Sequence, residues 1–133
     1  MITSFSGSYQ PDPVDTFLIN LKKTVKRIEN LLRDKTQCQF IPVCIPEAMA
    51  IMETKRLLTD LAKSEIIPRQ IIVNNVMVAD GSTFCERRKA GQLPYLQEIS
   101  NSFSHLNKVE VPMFAEEIKG LRTLKELKKS LLG

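Results

Sequence analysis

The chain has 133 residues, of which 43% are hydrophobic and 26% charged, and it carries a formal net charge of +4 at pH 7. These values are typical of one globular domain and exclude a collagen-like or disordered chain. No apolar run reaches the length of about 18 residues that a transmembrane helix needs, and the N-terminus lacks the basic and apolar segments of a signal peptide. We therefore expect a cytoplasmic protein.

Glycine, histidine and cysteine usage excludes several classes of enzyme. The five glycines are too widely spaced for a GxGxxG or GxxxxGK[ST] phosphate-binding loop. The single histidine, His105, and three cysteines without a CxxC pair supply no HExxH motif, zinc cluster or disulfide framework. We expect no catalytic residue and no metal site within this chain, and sparse cysteines of this kind indicate a reducing compartment.

Hydrophobic periodicity predicts alternating helices and strands after a polar, proline-bearing N-terminal segment. We expect residues 1–13 to form a flexible segment and residues 14–133 to form one subdomain. The predicted elements are a helix over 14–32, a strand over 39–45, a helix over 46–63, a strand over 70–79, a helix over 86–102, a strand over 108–113 and a helix over 115–132.

The order of these elements predicts an α/β fold with three layers, in which a partial parallel sheet of about three strands is covered by helices. Sheets of this kind bind ligands beyond the carboxyl ends of their strands. Those ends fall at residues 45–47, 73–75 and 112–114. Because three strands make a thin sheet, the arrangement resembles one side of a larger α/β domain whose first half is absent.

Several segments resemble the C-terminal half of the ArsA-like anion-transporting ATPases. This family includes arsenical pump-driving ATPases and the ATPases that deliver tail-anchored membrane proteins. The resemblance covers roughly residues 14–132 and implies the C-terminal part of a P-loop NTPase fold. The segments that carry it are FIPVCIPE at 40–47, ETKRL at 53–57, IIVNN at 71–75, CxxRxxxQxxYL at 85–96 and VPMFAEEIKGL at 111–121.

The resemblance implies that residues at two strand ends hold the adenine ring of ATP. The implied adenine-binding residues are Asn74, Pro112, Met113, Phe114 and Ala115. An asparagine amide offers both a donor and an acceptor, which suits an adenine edge. Pro112 fixes the backbone, while Met113 or Phe114 covers the face of the ring. The alternative for Asn74 is a side chain that caps a turn after a strand.

The resemblance also implies that Glu47, Glu53 and Arg56 lie near the dimer interface and the nucleotide, where charges communicate the nucleotide state between subunits. The alternative is a solvated helix face with local ion pairs, Glu53 with Arg56 and Lys55 with Asp60, each contributing only a few tenths of a kcal/mol. Both interpretations carry equal weight.

Family members that target membrane proteins share a zinc ion between two subunits through a CxxC motif. In this sequence Cys85 aligns with the second cysteine of that motif, but Ser82 stands in place of the first. One thiolate from each subunit falls short of the four ligands of a structural zinc site, which argues against zinc binding.

The resemblance therefore implies the adenine side of an ATP-binding ATPase that powers either arsenite efflux or the targeting of tail-anchored proteins. The implied partners are an N-terminal half with the P-loop, a second copy in a homodimer, and a membrane pump subunit or a tail-anchored client. ATP and Mg²⁺ belong to the complete protein, and we expect this chain alone not to hydrolyse ATP. Whether the chain is a natural truncation stays open.

An alternative function is a non-enzymatic module that binds a partner or an anionic surface. It is motivated by a pI near 9.1 and by the basic residues of the last predicted helix. With an aromatic content of 6% and no tryptophan, we expect no specific nucleic-acid binding.

Overall fold

The computed structural model describes residues 12–132, which alternate between helices and strands as predicted. The chain divides between Cys38 and Gln39 into two compact units. Within the described residues, the elements are α1 (Pro13–Arg33), β1 (Val43–Cys44), α2 (Ala48–Lys63), β2 (Gln70–Val76), α3 (Thr83–Ser102), β3 (Asn107–Pro112) and α4 (Gly120–Leu132). The flexible segment predicted for residues 1–13 lies outside the described residues, except for Asp12 and Pro13.

The first unit contains α1, which has a strong N-terminal start signal. The Asp12 carboxylate accepts a hydrogen bond from the Asp15 backbone N–H at 2.8 Å, and the Asp15 side chain accepts one from the Asp12 N–H at 3.2 Å. Pro13 occupies the first helical position, where its missing N–H costs nothing. Pro13 is therefore helical, one residue earlier than the predicted start of the helix. No residue of α1 is buried, so its apolar stripe is exposed.

The second unit is built on a parallel sheet in the order β1-β2-β3. Ile72 of β2 lies opposite Val43 of β1 and opposite Val109 of β3. The side chains of β2 alternate, which places Ile71 and Val73 in the core with no exposed surface. The buried core residues are Cys44, Ile51, Ile71, Val73, Ile99, Phe103 and Leu106. The predicted α/β fold with a helix-covered parallel sheet is confirmed.

The first strand is much shorter than predicted. Residues 39–42 are not in a strand, although their composition favours one. Pro42 has no N–H to donate, and its carbonyl accepts a hydrogen bond from the Ile72 N–H at 3.0 Å. Regular pairing with β2 is thus limited to Val43 and Cys44.

Other boundaries differ from the prediction as well. α2 begins at Ala48 rather than at residue 46, and β3 covers Asn107–Pro112 rather than 108–113. β2 ends at Val76 rather than at residue 79, and α3 begins at Thr83 because Ser82 caps it. The last helix starts at Gly120 instead of residue 115. Gly120 has a φ of +75°, a backbone conformation that glycine adopts without strain. Residues 113–119 consequently form a loop after β3, and this loop carries most of the implied adenine site.

Candidate functional site

The carboxyl end of β2 contains a bulge. Val73 pairs with Glu110 and Val76 pairs with Pro112, so three steps along β2 match two steps along β3. Asn75 supplies the extra residue, with a φ of +60° in the left-handed region that asparagine tolerates better than most residues. Beyond the bulge, the Met113 N–H donates to the Val76 carbonyl at 2.9 Å and so joins the two strand ends.

Asn74 is half-buried within this bulge. Its side chain forms no hydrogen bond with another residue in the described part of the chain, so the amide caps no turn there. A half-buried amide with free donors and an acceptor is suited to bind a polar edge of a ligand.

A cavity of about 530 Å³ lies beside these strand ends. Its walls come from the loop after β2, the first turns of α3 and the loop after β3. The lining residues are Met77, Val78, Ala79, Asp80, Phe84, Cys85, Arg88, Met113, Phe114 and Ala115. This volume is within the usual range of small-molecule sites, roughly 300–1,000 Å³.

The cavity contains three of the five implied adenine-binding residues. Met113, Phe114 and Ala115 line it, whereas Pro112 is the last residue of β3, opposite Val76. Asn74 also lies outside the lining, in the bulged part of β2 and three residues before Met77, where the lining begins. The structure thus brings the three loop residues together at one cavity. Asn74 and Pro112 remain in β2 and β3, whose carboxyl ends lie beside this cavity.

Phe84 and Arg88 are lining residues that the sequence did not indicate. They are one helical turn apart on α3, so both side chains face the same side of the helix. An aromatic ring and a planar guanidinium group both stack on a nucleobase. The available signals were the i, i+4 spacing just after a capped helix start and, for Arg88, its place in the family segment at 85–96, but neither reveals which loop the helix faces.

In the turn before α3, hydrogen bonds to the carboxylate of Asp80 favour its charged form. The Asp80 carboxylate accepts hydrogen bonds from the Ser82 backbone N–H at 2.8 Å and from the Cys85 thiol at 3.2 Å. Hydrogen bonds from Ser82, first its side chain and then its backbone, lower the pKa of Asp80, and the Cys85 thiol adds to this effect. Asp80 therefore places a negative charge at one side of the cavity at neutral pH.

Comparison with known proteins identifies the family of this chain. A sequence model of the family described as "Anion-transporting ATPase" matches residues 2–133, nearly the whole chain. The chain belongs to the anion-transporting ATPase family. The resemblance carried by its strand-end segments is thereby confirmed.

Curated relatives include ATPases from fungi and a ciliate. "ATPase get3" of Pyrenophora tritici-repentis is 29% identical over 116 residues, which are 85% of this chain and 34% of that protein. "ATPase GET3" of Chaetomium globosum is 29% identical over 118 residues, 86% of this chain and 35% of that protein. "ATPase ASNA1 homolog 2" of Paramecium tetraurelia is 32% identical over 113 residues, 84% of this chain and 35% of that protein. The chain spans about a third of the length of these relatives.

The zinc ion shared by some members of the anion-transporting ATPase family does not fit the residues of this chain. Ser82 is the N-cap of α3, and its Oγ accepts the Cys85 N–H at 3.2 Å, so this position holds a cap instead of a thiolate. Cys85 supplies one thiol, which donates to Asp80. Among residues 12–132, no group of three or more histidine, cysteine or acidic side chains is placed to hold a metal ion.

The three implied interface residues of this family member do not form one cluster. Glu47 precedes α2 and lines a second cavity of about 430 Å³, together with Arg87, Arg88 and other residues of α3. Glu53 and Arg56 are exposed on α2, outside the lining of both cavities.

Neither of the ion pairs suggested for α2, Glu53 with Arg56 and Lys55 with Asp60, forms within the described part of the chain. Lys55 reaches Glu98 of α3 at 2.8 Å, while Asp60 pairs with Lys63 at 2.8 Å. The ion pair of Lys55 therefore joins α2 to α3 instead of lying along one helix face. All four side chains are well exposed, so each pair contributes little to stability.

None of the helices in the described region, residues 12–132, combines the length and the apolar character required to cross a membrane.

Proposed function

We propose that the cavity beside the ends of β2 and β3 is the adenine side of an ATP site. The observation that carries this proposal is that Met113, Phe114 and Ala115 share a cavity with Phe84 and Arg88. Aromatic rings, a thioether and a guanidinium group give a flat base faces to stack on, and stacking of this kind contributes roughly 1–3 kcal/mol per base.

Asn74 provides the polar recognition in this proposal. Its half-buried amide can accept a hydrogen bond from the exocyclic amino group of adenine and donate one to a neighbouring ring nitrogen. The Val76–Met113 hydrogen bond of 2.9 Å fixes the strand that carries Asn74 against the loop that covers the ring. The polar edge and the stacking surface therefore belong to one rigid unit.

The whole protein, in this proposal, is a cytoplasmic ATPase that works as a homodimer. ATP-driven closure of the dimer powers either the efflux of an anion such as arsenite or the delivery of tail-anchored membrane proteins. The phosphate-binding loop, the Mg²⁺ ligands and the catalytic aspartate are contributed by residues other than these 133, since the sequence contains no GxxxxGK[ST] motif. Glu47, Glu53 and Arg56 keep their proposed role near the subunit interface.

The alternative, a basic module for anionic surfaces, receives less support. On and beside α4, Lys119 pairs with Glu117 at 2.6 Å, and Arg122 pairs with Glu126 at 3.1 Å. These pairs neutralise part of the basic face that motivated the alternative. No feature of the described residues favours it over a nucleotide site.

Titration of the ¹⁵N-labelled chain with adenosine, followed by NMR, tests the proposed adenine site. We expect the amide signals of Asn74, Met77 and Met113 to shift with adenosine and to shift less with guanosine. Because stacking is lost, Phe114→Ala should weaken the adenosine response by about fivefold or more, the equivalent of roughly 1 kcal/mol.

Phe17→Ala is the matched control, because Phe17 is an exposed aromatic residue of the first unit. It should leave the adenosine titration unchanged. Absence of any adenosine-induced shift at the ends of β2 and β3, or an equal response to guanosine, would contradict the proposal.

A further inference from the structure

Gln92 of α3 makes two hydrogen bonds to the chain just after Asn74. Its Nε2 donates to the Asn75 carbonyl at 3.0 Å, and its Oε1 accepts the Met77 backbone N–H at 2.8 Å. The two main-chain groups are two residues apart, the spacing with which one residue of a neighbouring parallel strand would pair. The Gln92 amide thus takes the place of a strand neighbour where β2 leaves the sheet.

The bulge needs this support for a physical reason. Asn75 has a φ of +60°, which is less stable than an ordinary strand conformation for a residue with a side chain. Such a conformation persists only where the surroundings determine it. Gln92 holds the Asn75 carbonyl and the Met77 N–H, while Met113 binds the intervening Val76 carbonyl at 2.9 Å. Three successive residues are therefore fixed from two sides.

Gln92 lines a different cavity from the one proposed for adenine, although Phe84 and Arg88 line both. It is half-buried and lines the 430 Å³ cavity with Glu47 and Tyr95, not the 530 Å³ cavity proposed for adenine. The segment that it holds has Asn74 on one side and the cavity wall that starts at Met77 on the other. Any loosening of this segment changes the distance between the amide of Asn74 and the stacking surface.

We propose that Gln92 is a positioning residue that holds the bulged end of β2 in the geometry required for adenine binding. This inference rests on the proposed function, because the geometry of the strand end affects binding only if the cavity beside it holds adenine. Gln92 acts through Asn75 and Met77 and does not itself touch the base. Its effect on affinity should therefore exceed its effect on the stability of the fold.

Two substitutions separate its two hydrogen bonds. Gln92→Met keeps the approximate length of the side chain and removes both bonds. Gln92→Glu keeps an acceptor for the Met77 N–H but, as a carboxylate, cannot donate to the Asn75 carbonyl. Gln97→Met and Gln97→Glu are matched controls, since Gln97 is exposed on the same helix. Ile99→Val controls for stability, because it trims a fully buried core residue of α3.

The experiment combines amide hydrogen exchange with the adenosine titration, on the full 133-residue chain. We expect Met77 to exchange about threefold to tenfold faster in Gln92→Met and to stay protected in Gln92→Glu, as loss of one net hydrogen bond predicts. Adenosine should bind Gln92→Glu about threefold to tenfold more weakly, the range for one lost bond, and should bind Gln92→Met more weakly still. The Gln97 variants and Ile99→Val should bind adenosine like the wild type, even where Ile99→Val lowers the melting temperature more.

Two results would overturn the inference. One is an unchanged exchange rate of Met77 in Gln92→Met. The other is an adenosine affinity that falls as much in Ile99→Val as in the Gln92 variants, which would reduce Gln92 to a general stabilising role. If the wild-type chain gives no adenosine response, the proposed function fails on its own. Hydrogen exchange at Met77 then still decides whether Gln92 holds the strand end.

Discussion

Asp80 shows how a single turn residue links local hydrogen bonding to the stability of the folded chain. Its pKa lies below the ordinary value of 3.8 because Ser82 and then Cys85 donate hydrogen bonds to the carboxylate. The unfolded chain therefore binds more protons than the folded chain between the two pKa values. The stabilisation from Asp80 is complete above pH 3.8 and is lost as the pH falls through the folded pKa.

Substitution of Asp80 by asparagine tests this dependence. The melting temperature of Asp80→Asn should lie below that of the wild type at pH 7, and the difference should shrink as the pH falls below 3.8. Thermal unfolding followed by circular dichroism over this pH range measures the difference. Some acid sensitivity should remain in the variant, since hydrogen bonds from Thr36 lower the pKa of Asp34 as well. A difference that stays constant across this pH range would show that the charge of Asp80 is irrelevant.

Residue patterns in the sequence indicate some members of the candidate site and hide others. Met113, Phe114 and Ala115 could be named because they follow a strand in a family segment, and the structure places them at one cavity. Their role in binding adenine stays a prediction. Phe84, Arg88 and Gln92 could not be named as site residues, since they reach the strand ends only through the packing of α3. Gln92 binds a carbonyl 17 positions away in the chain.

At the level of elements, the alternation of helices and strands was predictable from the sequence, but the residues at which they begin and end were not. Apolar periodicity predicts helices and strands because burial of one face stabilises them, although the apolar stripe of α1 is exposed. Strand length depends in addition on a partner, so residues 39–42 lack regular pairing despite their β-rich composition. The start of α4 depends on a φ of +75° at Gly120, which converts residues 115–119 from the predicted helix into loop.

Gly120 and Gly91 form a matched pair that tests this account of the last helix. A Cβ atom would meet no atom within 4 Å at either position, so packing does not distinguish them. Gly120→Ala should destabilise the fold by about 1 kcal/mol, because alanine disfavours a positive φ. Gly91→Ala should stabilise it by about 0.5–1 kcal/mol, since Gly91 lies inside α3.

Urea denaturation of both glycine variants measures the free energy of unfolding. Because the two variants should change the free energy of unfolding in opposite directions, each serves as the control for the other. Equal effects at the two positions would mean that the backbone conformation of Gly120 does not set the start of α4.

For the whole molecule, the order of strands and helices is sufficient to predict at which edge of the sheet a cavity lies, but not which residues complete its wall. Because the strands are parallel, their carboxyl ends meet at one edge of the sheet, and the cavity at β2 and β3 lies there. The sequence cannot specify the bulge at Asn75, because a bulge depends on the register between two strands. The location of the cavity was therefore predictable from the sequence, whereas the residues that form its wall could be identified only from the structure.

In the proposed function, this chain holds the adenine base and other residues carry out phosphoryl transfer. This leads to a prediction about catalysis. Transfer of a phosphoryl group depends on a loop that cradles the phosphates and on groups that neutralise their charge. The 133 residues contain no GxxxxGK[ST] loop, and no metal-binding cluster occurs among residues 12–132. We expect the purified chain with Mg²⁺ and ATP to release phosphate no faster than buffer, even though adenosine should shift the NMR signals of its strand ends.

A phosphate-release assay across the fractions of a gel-filtration column checks this expectation, because a contaminating ATPase would not co-elute with the chain. Phe114→Ala is the informative control. Phosphate release that co-elutes with the chain and falls with the adenosine affinity in this variant would mean that the chain carries its own phosphate-handling groups. Adenosine binding without turnover would instead support a site in which this chain holds the base and other residues carry out the chemistry.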